Sequence, residues 1–381
     1  MASVFSALAP TLFAAAQEVA AEPFGIVDGL NTSFSDKGVA RGDSVTIPVT
    51  PVSTNAPFTP AAASSEGTSK TAESVSVTIS KSQKNSHVLT GEQIRSLENG
   101  GNYEEWVRQW SAQAMRALRN EAEVDAALAV KQGASRAYGT AGATPFSTSL
   151  AELAGARKIL RDNGAPMADL QLVVNTDAEL NLLNLNIIQQ AFAAGTDQQL
   201  RTGVLARQMG FAIKASAGIA THAKGTATGI DVNFGAGYNI GDRTIVVHGS
   251  DSGTVLAGDV LTWAGDTNKY IVASASVSGA ASGDVVLNRP GLRATLADAV
   301  EATLGANYTP NLAFERAAVV GVMRPPLIPV NPTIKQQLVS DGKGMTYLFL
   351  EIAQYGEISW EMHLAWGFKV IQPEFVAILL G

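Results

Sequence analysis

The chain has no cysteine in 381 residues. Disulfide frameworks, thiolate metal sites and cysteine nucleophiles are therefore excluded, and the composition suits a reducing compartment. Charge is sparse as well. Charged residues make up 16%, with 27 basic against 34 acidic side chains and a net charge of −7. A non-specific DNA binder carries a basic stripe that displaces counterions; this chain has no long basic run, which argues against direct nucleic-acid binding. Histidines are few. His87, His222, His248 and His363 stand far apart, with no H-x-x-x-H or H-E-x-x-H spacing, so only the fold could gather a metal site, and hydrogen-bonded or surface histidines are the expectation. Phosphate-loop and nucleophile-elbow motifs are absent. Gly235-Ala236-Gly237 starts like a dinucleotide fingerprint, but the next glycine, Gly241, is misplaced and the surroundings are β-rich. The expected inventory is no catalytic residue, no cofactor-binding residue, no cofactor and no metal.

Long apolar runs are also missing. Residues 1–17 carry no charge and include Phe5, Leu8, Leu12 and Phe13, but the first basic residue is Lys37 and Pro10 interrupts the stretch. A signal peptide needs a positive start, and a membrane span needs about 20 apolar residues. The segment reads as an amphipathic arm that docks on a partner surface.

What is present is apolar bulk, 46% of the chain, enough for a sizeable core and two or three domains. Such a composition suits a protein that hides faces against its own copies, although enzymes share it.

The spacing of Val4, Leu8, Leu12 and Val19 predicts a helix over 4–22, ended by Pro23 and Gly25. Val45, Ile47 and Val49 alternate as a strand, as do Val75, Val77 and Ile79. Between them lies a Pro/Ala/Ser-rich tip from Pro51 to Lys70 that is too polar to build a core. The pattern predicts a long hairpin; a plain linker is the competing reading. Capping-box spacings at Thr90/Gln93, Ser149/Glu152 and Thr176/Glu179 predict three helix starts. The strongest helix runs from Tyr103 to about Val130, a rod of about 42 Å. Its apolar stripe takes in Trp106, Val107, Trp110, Ala114, Ala117, Leu118, Val124 and Leu128, with Arg108, Arg116, Arg119 and Glu123 on other faces. Leu170–Val174 reads as a buried strand. The Gly/Val/Thr/Asp-rich stretch from Ala223 to Pro290 reads as an inserted antiparallel β domain, with strands at Ile245–Val247, Val255–Leu256, Val260–Trp263, Tyr270–Val272 and Val285–Leu287. A helix is expected over Leu292–Leu304. Strands follow at Ala317–Met323, Tyr347–Ile352, Ile358–Trp366 and Val376–Leu380. Together these elements make an α+β chain.

Short motifs carry little. Arg41-Gly42-Asp43 is read as a turn before a strand, and Asn31-Thr32-Ser33 and Asn307-Tyr308-Thr309 as chance sequons. Lys70 is read as a solvated lysine instead of one end of an isopeptide bond.

The element order, together with residues 200–222 (LRTGVLARQMGFAIKASAGIATH), 223–232 (AKGTATGIDV), 311–324 (NLAFERAAVVGVMR) and the closing Leu364-Ala365-Trp366-Gly367-Phe368 with Val370, Pro373 and Glu374, resembles the tailed-bacteriophage coat proteins of the Hong Kong 97 capsid fold. The closest branch is the podovirus coat proteins with an inserted domain. The individual motifs are degenerate; their order carries the resemblance. It implies an N-terminal arm at 1–43, an extended hairpin (E-loop) at 44–88 and a spine helix with P domain at 89–145. It further implies an A domain at 146–222 continued at 292–323, an inserted β domain at 223–291, and returning strands at 324–381.

That resemblance implies a major capsid protein that self-assembles into hexamers and pentamers of an icosahedral shell around double-stranded DNA. Its partners would be other copies of itself, a scaffolding protein and a portal, and a decoration protein in some shells; DNA would be enclosed without sequence-specific binding, and no membrane is involved. The location would be the virion, after assembly in the bacterial cytoplasm. Val4–Val19 and Val45–Ile79 would make intersubunit contacts, while Trp106 and Trp110 pack internally. The runner-up readings are a phage decoration or tail protein, which the Tyr103–Val130 helix disfavours, and a carbohydrate-binding β module, which explains only residues 223–290. An enzyme comes last.

Overall fold

The structure, a computed structural model, describes residues 4–22, 25–34, 38–49, 73–185, 207–249, 253–277, 282–329, 333–341 and 343–381. The hairpin tip with Lys70, and residues 200–206 of the segment quoted above, lie outside the described residues.

The chain opens with helix α1 (Val4–Ala21), then strands β1 (Asn31–Phe34), β2 (Ser44–Val49), β3 (Glu73–Thr78) and β4 (Lys81–Thr90). Helices α2 (Gly91–Asn99) and α3 (Tyr103–Gly133) follow, then β5 (Arg136–Gly139), α4 (Ala151–Asp162), β6 (Leu170–Val174), α5 (Thr176–Asn184) and β7 (Phe211–Ala215). A run of short strands comes next: β8 (Ile230–Val232), β9 (Thr244–Gly249), β10 (Val260–Trp263), β11 (Lys269–Ala275), β12 (Gly283–Leu287) and β13 (Glu301–Leu304). The remainder is β14 (Pro310–Glu315), β15 (Val319–Arg324), β16 (Ile334–Ser340), β17 (Thr346–Gln354), β18 (Glu357–Val370) and β19 (Val376–Leu380). The fold is α+β.

Among the described residues, three sheets organise it. In the first, β18 is the centre. It pairs antiparallel with β4 along one edge and with β17 and β15 along its length, and β16 and β1 extend the sheet outward. Helix α3 lies across this sheet; Val107, Met115, Leu118, Ala122 and Val130 share a core with Phe349, Trp360, Met362 and Trp366. The second sheet runs β5-β19-β14-β6-β7, with α4 and α5 packed on it through Leu153, Ile159, Leu160 and Leu182. The third is the ribbon β2–β3, two antiparallel strands alone.

Strands β8 to β13 form a ring. Pairing runs β10-β11-β12-β9-β8-β13 and returns to β10, all antiparallel. Closing a small sheet on itself removes its edges. Inside lie Ile230, Val247, Leu261, Trp263, Tyr270, Val272, Val285 and Leu287. Strand alternation joins the barrel to the body: Leu261 and Tyr270 face the barrel core, while Val260 and Ile271 belong to the core around α3. Strand β11 also pairs with β5, so barrel and second sheet are hydrogen-bonded into one surface.

Several expectations are corrected. The segment Leu292–Leu304 is not helical. Leu292 and Leu296 fill the barrel, and Glu301–Leu304 is the strand that closes the ring, so pairing overrides the helical propensity of this segment. Val255–Leu256 is a loop, because Asp259 captures the Leu256 amide. Ser149/Glu152 forms no capping box, and α4 has no side-chain cap hydrogen bond at its Leu150 N-cap. Asn175 caps α5 instead of Thr176, with its side chain accepting from the Ala178 amide at 3.1 Å. The Thr90/Gln93 box is present in both directions. Strands β1, β4, β5, β8 and β16 are additional to the expected set.

Candidate interaction surfaces

The spine helix shows the largest departure from its sequence pattern. Val124 and Leu128, placed on its apolar stripe, are 44% and 45% exposed, whereas Arg119 and Glu123 are buried. The reason is the arm. Helix α1 covers a second face of α3, and Leu8, Leu12, Ala15, Ala16 and Val19 are buried in the shared core. Along that face α3 presents Arg108, Arg116, Arg119 and Glu123, whose near i, i+4 repeat keeps them in line.

Each has a partner on the arm. Arg108 pairs with Glu18. Arg116 Nε donates to both Glu22 oxygens at 2.9 Å, and this guanidinium holds the Glu22 carboxyl below its usual range. Arg119 donates to the Val19 carbonyl at 3.3 Å and to Asp28 at 2.6 Å. Glu123 accepts the amides of Ile26 and Val27 at 2.6 and 2.9 Å, supplying acceptors that those buried donors need. Lys343, on the β16–β17 connection, reaches Asp28 at 3.4 Å. The outer pairs are half-exposed and contribute about 0–1 kcal/mol each. Burying Leu8, Leu12 and Val19 contributes about 1.5–3 kcal/mol apiece. Apolar burial therefore holds the arm, and the ion pairs set its register. No matched spacing in the sequence announces these pairs, since Glu18, Glu22 and Asp28 stand 4 and 6 residues apart and Arg108, Arg116 and Arg119 stand 8 and 3 apart.

The ribbon is anchored at its base. Val77 and Ile79 pack with Val39, Val320, Val322 and Ala365, and Val45 and Ile47 lie against them. Ser80 donates its amide to the Trp366 carbonyl at 3.1 Å, and Lys369 reaches the Ser76 carbonyl at 3.0 Å. Gly367 permits the contact, because a Cβ there would overlap the Thr78 carbonyl oxygen. Ser44, Thr46 and Pro48 point to solvent. Arg41-Gly42-Asp43 is the turn that starts the ribbon: Gly42 has φ +97°, and Asp43 accepts the Ala40 amide at 2.8 Å.

Trp106 and Trp110 join a ring cluster with Trp360, Phe349, Tyr103 and His87. Burial raises the Tyr103 phenol to about 12, with Glu351 adding to the shift. Both tryptophans pack internally while keeping partial exposure. The other histidines pair with single carboxylates: His222 with Asp259 at 2.8 Å, His363 with Glu361 at 2.8 Å and His248 with Asp231 at 3.8 Å. Among the described residues no three His, Asp or Glu side chains converge as metal ligands. The sequon asparagines are structural: Asn31 lies in β1 and Asn307 accepts the Lys224 amide. An open cleft of about 420 Å³ is lined by Tyr138, Thr144, Ser147, Glu152 and Lys269, but the Lys269 amine already reaches the Gly139 carbonyl. Isolated apolar side chains stand on the surface at Leu180, Ile240, Leu327 and Tyr355. No helix among the described residues is long and apolar enough to cross a membrane.

No family model matches the chain, and no curated protein matches it. Solved structures do resemble it. The capsid of the Cyanophage P-SCSP1u is 13% identical over 93% of this chain and 86% of that one, with a TM-score of 0.48. The mature capsid of bacteriophage PhiM1 is 12% identical over 93% and 86%, with a TM-score of 0.47. A Mycobacterium phage Che8 chain is 12% identical over 90% and 85%, also at 0.47. These are likenesses of fold between chains of distant sequence.

Proposed function

We propose that the chain is a major capsid protein of a tailed bacteriophage, a non-enzymatic subunit that assembles with its own copies into the hexamers and pentamers of an icosahedral shell around double-stranded DNA. The observation that carries this reading is the ribbon β2–β3. Among the described residues this pair has no third strand, an arrangement that is marginal in water, and the core it joins lies at its base. Such an element gains its full stability by lying on a neighbour, as closed symmetric assemblies provide. The ribbon is the E-loop of this reading. The sheet centred on β18, with α3, is the peripheral domain; the sheet β5-β19-β14-β6-β7 is the central domain, and the barrel is the insertion. Scaffolding and portal partners, assembly in the host cytoplasm and enclosure of DNA without base-specific contacts belong to the same proposal. The net charge of −7 agrees with a shell that does not bind its contents tightly.

The test is expression in bacteria with and without the neighbouring phage genes, followed by sedimentation and negative-stain electron microscopy. Closed shells, or tubes of hexameric units, are the expected product. Deletion of residues 51–70 is expected to weaken assembly while leaving the subunit's circular dichroism and unfolding midpoint in place. Small discrete oligomers that persist with the neighbouring genes present would overturn the proposal.

A further inference from the structure

The barrel meets the end of the spine helix at a buried polar cluster drawn from four segments. Lys131 comes from the last turn of α3, His222 from the segment entering the barrel, Asp259 from the β9–β10 connection and Tyr308 from the segment leaving it. The entering and leaving segments are bridged at this level: the His222 amide donates to the Tyr308 carbonyl at 2.7 Å, and the Tyr308 amide returns a bond at 3.3 Å. The Tyr308 hydroxyl donates to the Gly258 carbonyl at 2.6 Å, and its ring lies 5.2 Å from the imidazole. Asp259 is fully buried and accepts from the Gly225 amide at 3.1 Å, the Leu256 amide at 2.7 Å and His222 Nε2 at 2.8 Å. Lys131 Nζ lies 3.1 Å from His222 Nδ1.

These contacts define the imidazole's hydrogens. A carboxylate is an acceptor, so Nε2 carries the proton. An ammonium has donors only, so Nδ1 must be the bare nitrogen that accepts from Lys131. The chain Lys131–His222–Asp259 therefore closes only around a neutral imidazole. The geometry points to a pH-sensitive latch: a second proton on His222 converts Nδ1 into a donor facing a donor, expels Lys131, and loosens the barrel loop at 255–260 from the end of the spine helix. The titratable groups that face His222 are Lys131 on α3, Asp259 on the β9–β10 connection and the Tyr308 phenol. Asp259 keeps its bond to the imidazole in either state, so the break falls on the Lys131 side. Burial of Lys131 lowers the pKa of its ammonium against the opposing pull of Asp259, and a second cation at 3.1 Å in a partly desolvated site is correspondingly disfavoured. Histidine is the side chain whose charge ordinarily changes between about pH 5 and 8. The latch is closed while Nδ1 is bare and open once Nδ1 carries a proton. It belongs to the single subunit and stands whether or not the chain forms shells.

The test is amide hydrogen exchange of the full chain at about pH 7.5 and about pH 5, corrected for intrinsic rates and read over residues 222–225 and 255–260. In the wild type, protection there is expected to fall by about fivefold or more at the lower pH. His222→Gln offers an amide hydrogen to Asp259 and a carbonyl to Lys131 without titrating, so its protection should stay flat. Lys131→Met should be poorly protected at both pH values, with no further loss in acid. An unchanged wild type, or an acid loss of equal size in either variant, overturns the latch. Lys131→Met decides the matter by itself should His222→Gln fail to fold.

Discussion

Glu123 is a charged residue in the middle of the best helix of the chain, and it is buried because two backbone amides need it. Ile26 and Val27 turn their N–H groups into the space under α3, and the carboxylate accepts both. Glu123→Ala removes both acceptors at once. Each stranded donor costs about 1–3 kcal/mol, less what water recovers, so urea unfolding should show a loss of about 2–3 kcal/mol; a loss below about 0.5 kcal/mol would mean that the amides find other partners. Tyrosines give a second prediction. Of the seven in the chain, Tyr103 is raised to about 12, and Tyr270, Tyr308 and Tyr347 are raised as well, all chiefly by burial. A phenol favoured in its neutral form contributes stability that is complete below its unfolded value of about 10 and lost as pH rises through its folded value. Alkaline unfolding is therefore expected above about pH 10. Absorbance titration of the phenols should show these four ionising later than the rest, in step with loss of structure. Early ionisation of all seven would contradict their burial.

At the scale of elements, the strands that can be recognised alone are those with a strict local rhythm. Val45, Ile47 and Val49 alternate and form β2; Leu170–Val174 is apolar except for Gln171 and forms the fully buried β6. Helix α3 has its expected length, yet its inward faces were not legible, since nothing local distinguishes an outward Leu128 from an inward Leu118. The ribbon's attachment depends on one missing side chain. Gly367→Ala would drive a Cβ into the Thr78 carbonyl, an overpacking that costs about 1–3 kcal/mol. Proteolysis should then cut more readily around residues 38–49 and 73–80, with the rest of the chain protected. Gly235→Ala is the control: its Cβ would meet nothing within 4 Å, and cleavage should be unchanged. Equal cleavage in both variants would detach the ribbon's position from Gly367.

For the whole molecule, the barrel is the part most separable from its surroundings. Its six strands satisfy one another in a closed ring, and its entering and leaving chains are bridged at His222 and Tyr308. Replacing residues 223–307 with a short glycine-rich linker should leave a body that folds cooperatively. Its denaturant midpoint should be lower, because β5 loses the β11 pairing and Gln132 and Ala134 lose the Asn288 side chain on their carbonyls. Circular dichroism with urea titration reads both outcomes. A body that does not fold would make the barrel part of the core and not an insertion.

The sequence specifies the elements whose signals are local: the arm helix, the spine, the Thr90–Gln93 cap and the alternating strands of the ribbon, because short-range spacing and capping chemistry suffice for them. It also limited the chemistry, through the absence of cysteine and the spread of the histidines. Tertiary structure alone decided which faces of α3 are inside, that Leu292–Leu304 completes a barrel, and that Lys131, His222 and Asp259 meet. Each of these depends on partners far apart in the chain. A helix covered on two sides buries Arg119 and Glu123 only once the arm brings Asp28 and two amides to meet them, and a strand that closes a ring is specified by the two edges waiting for it, not by its own propensity.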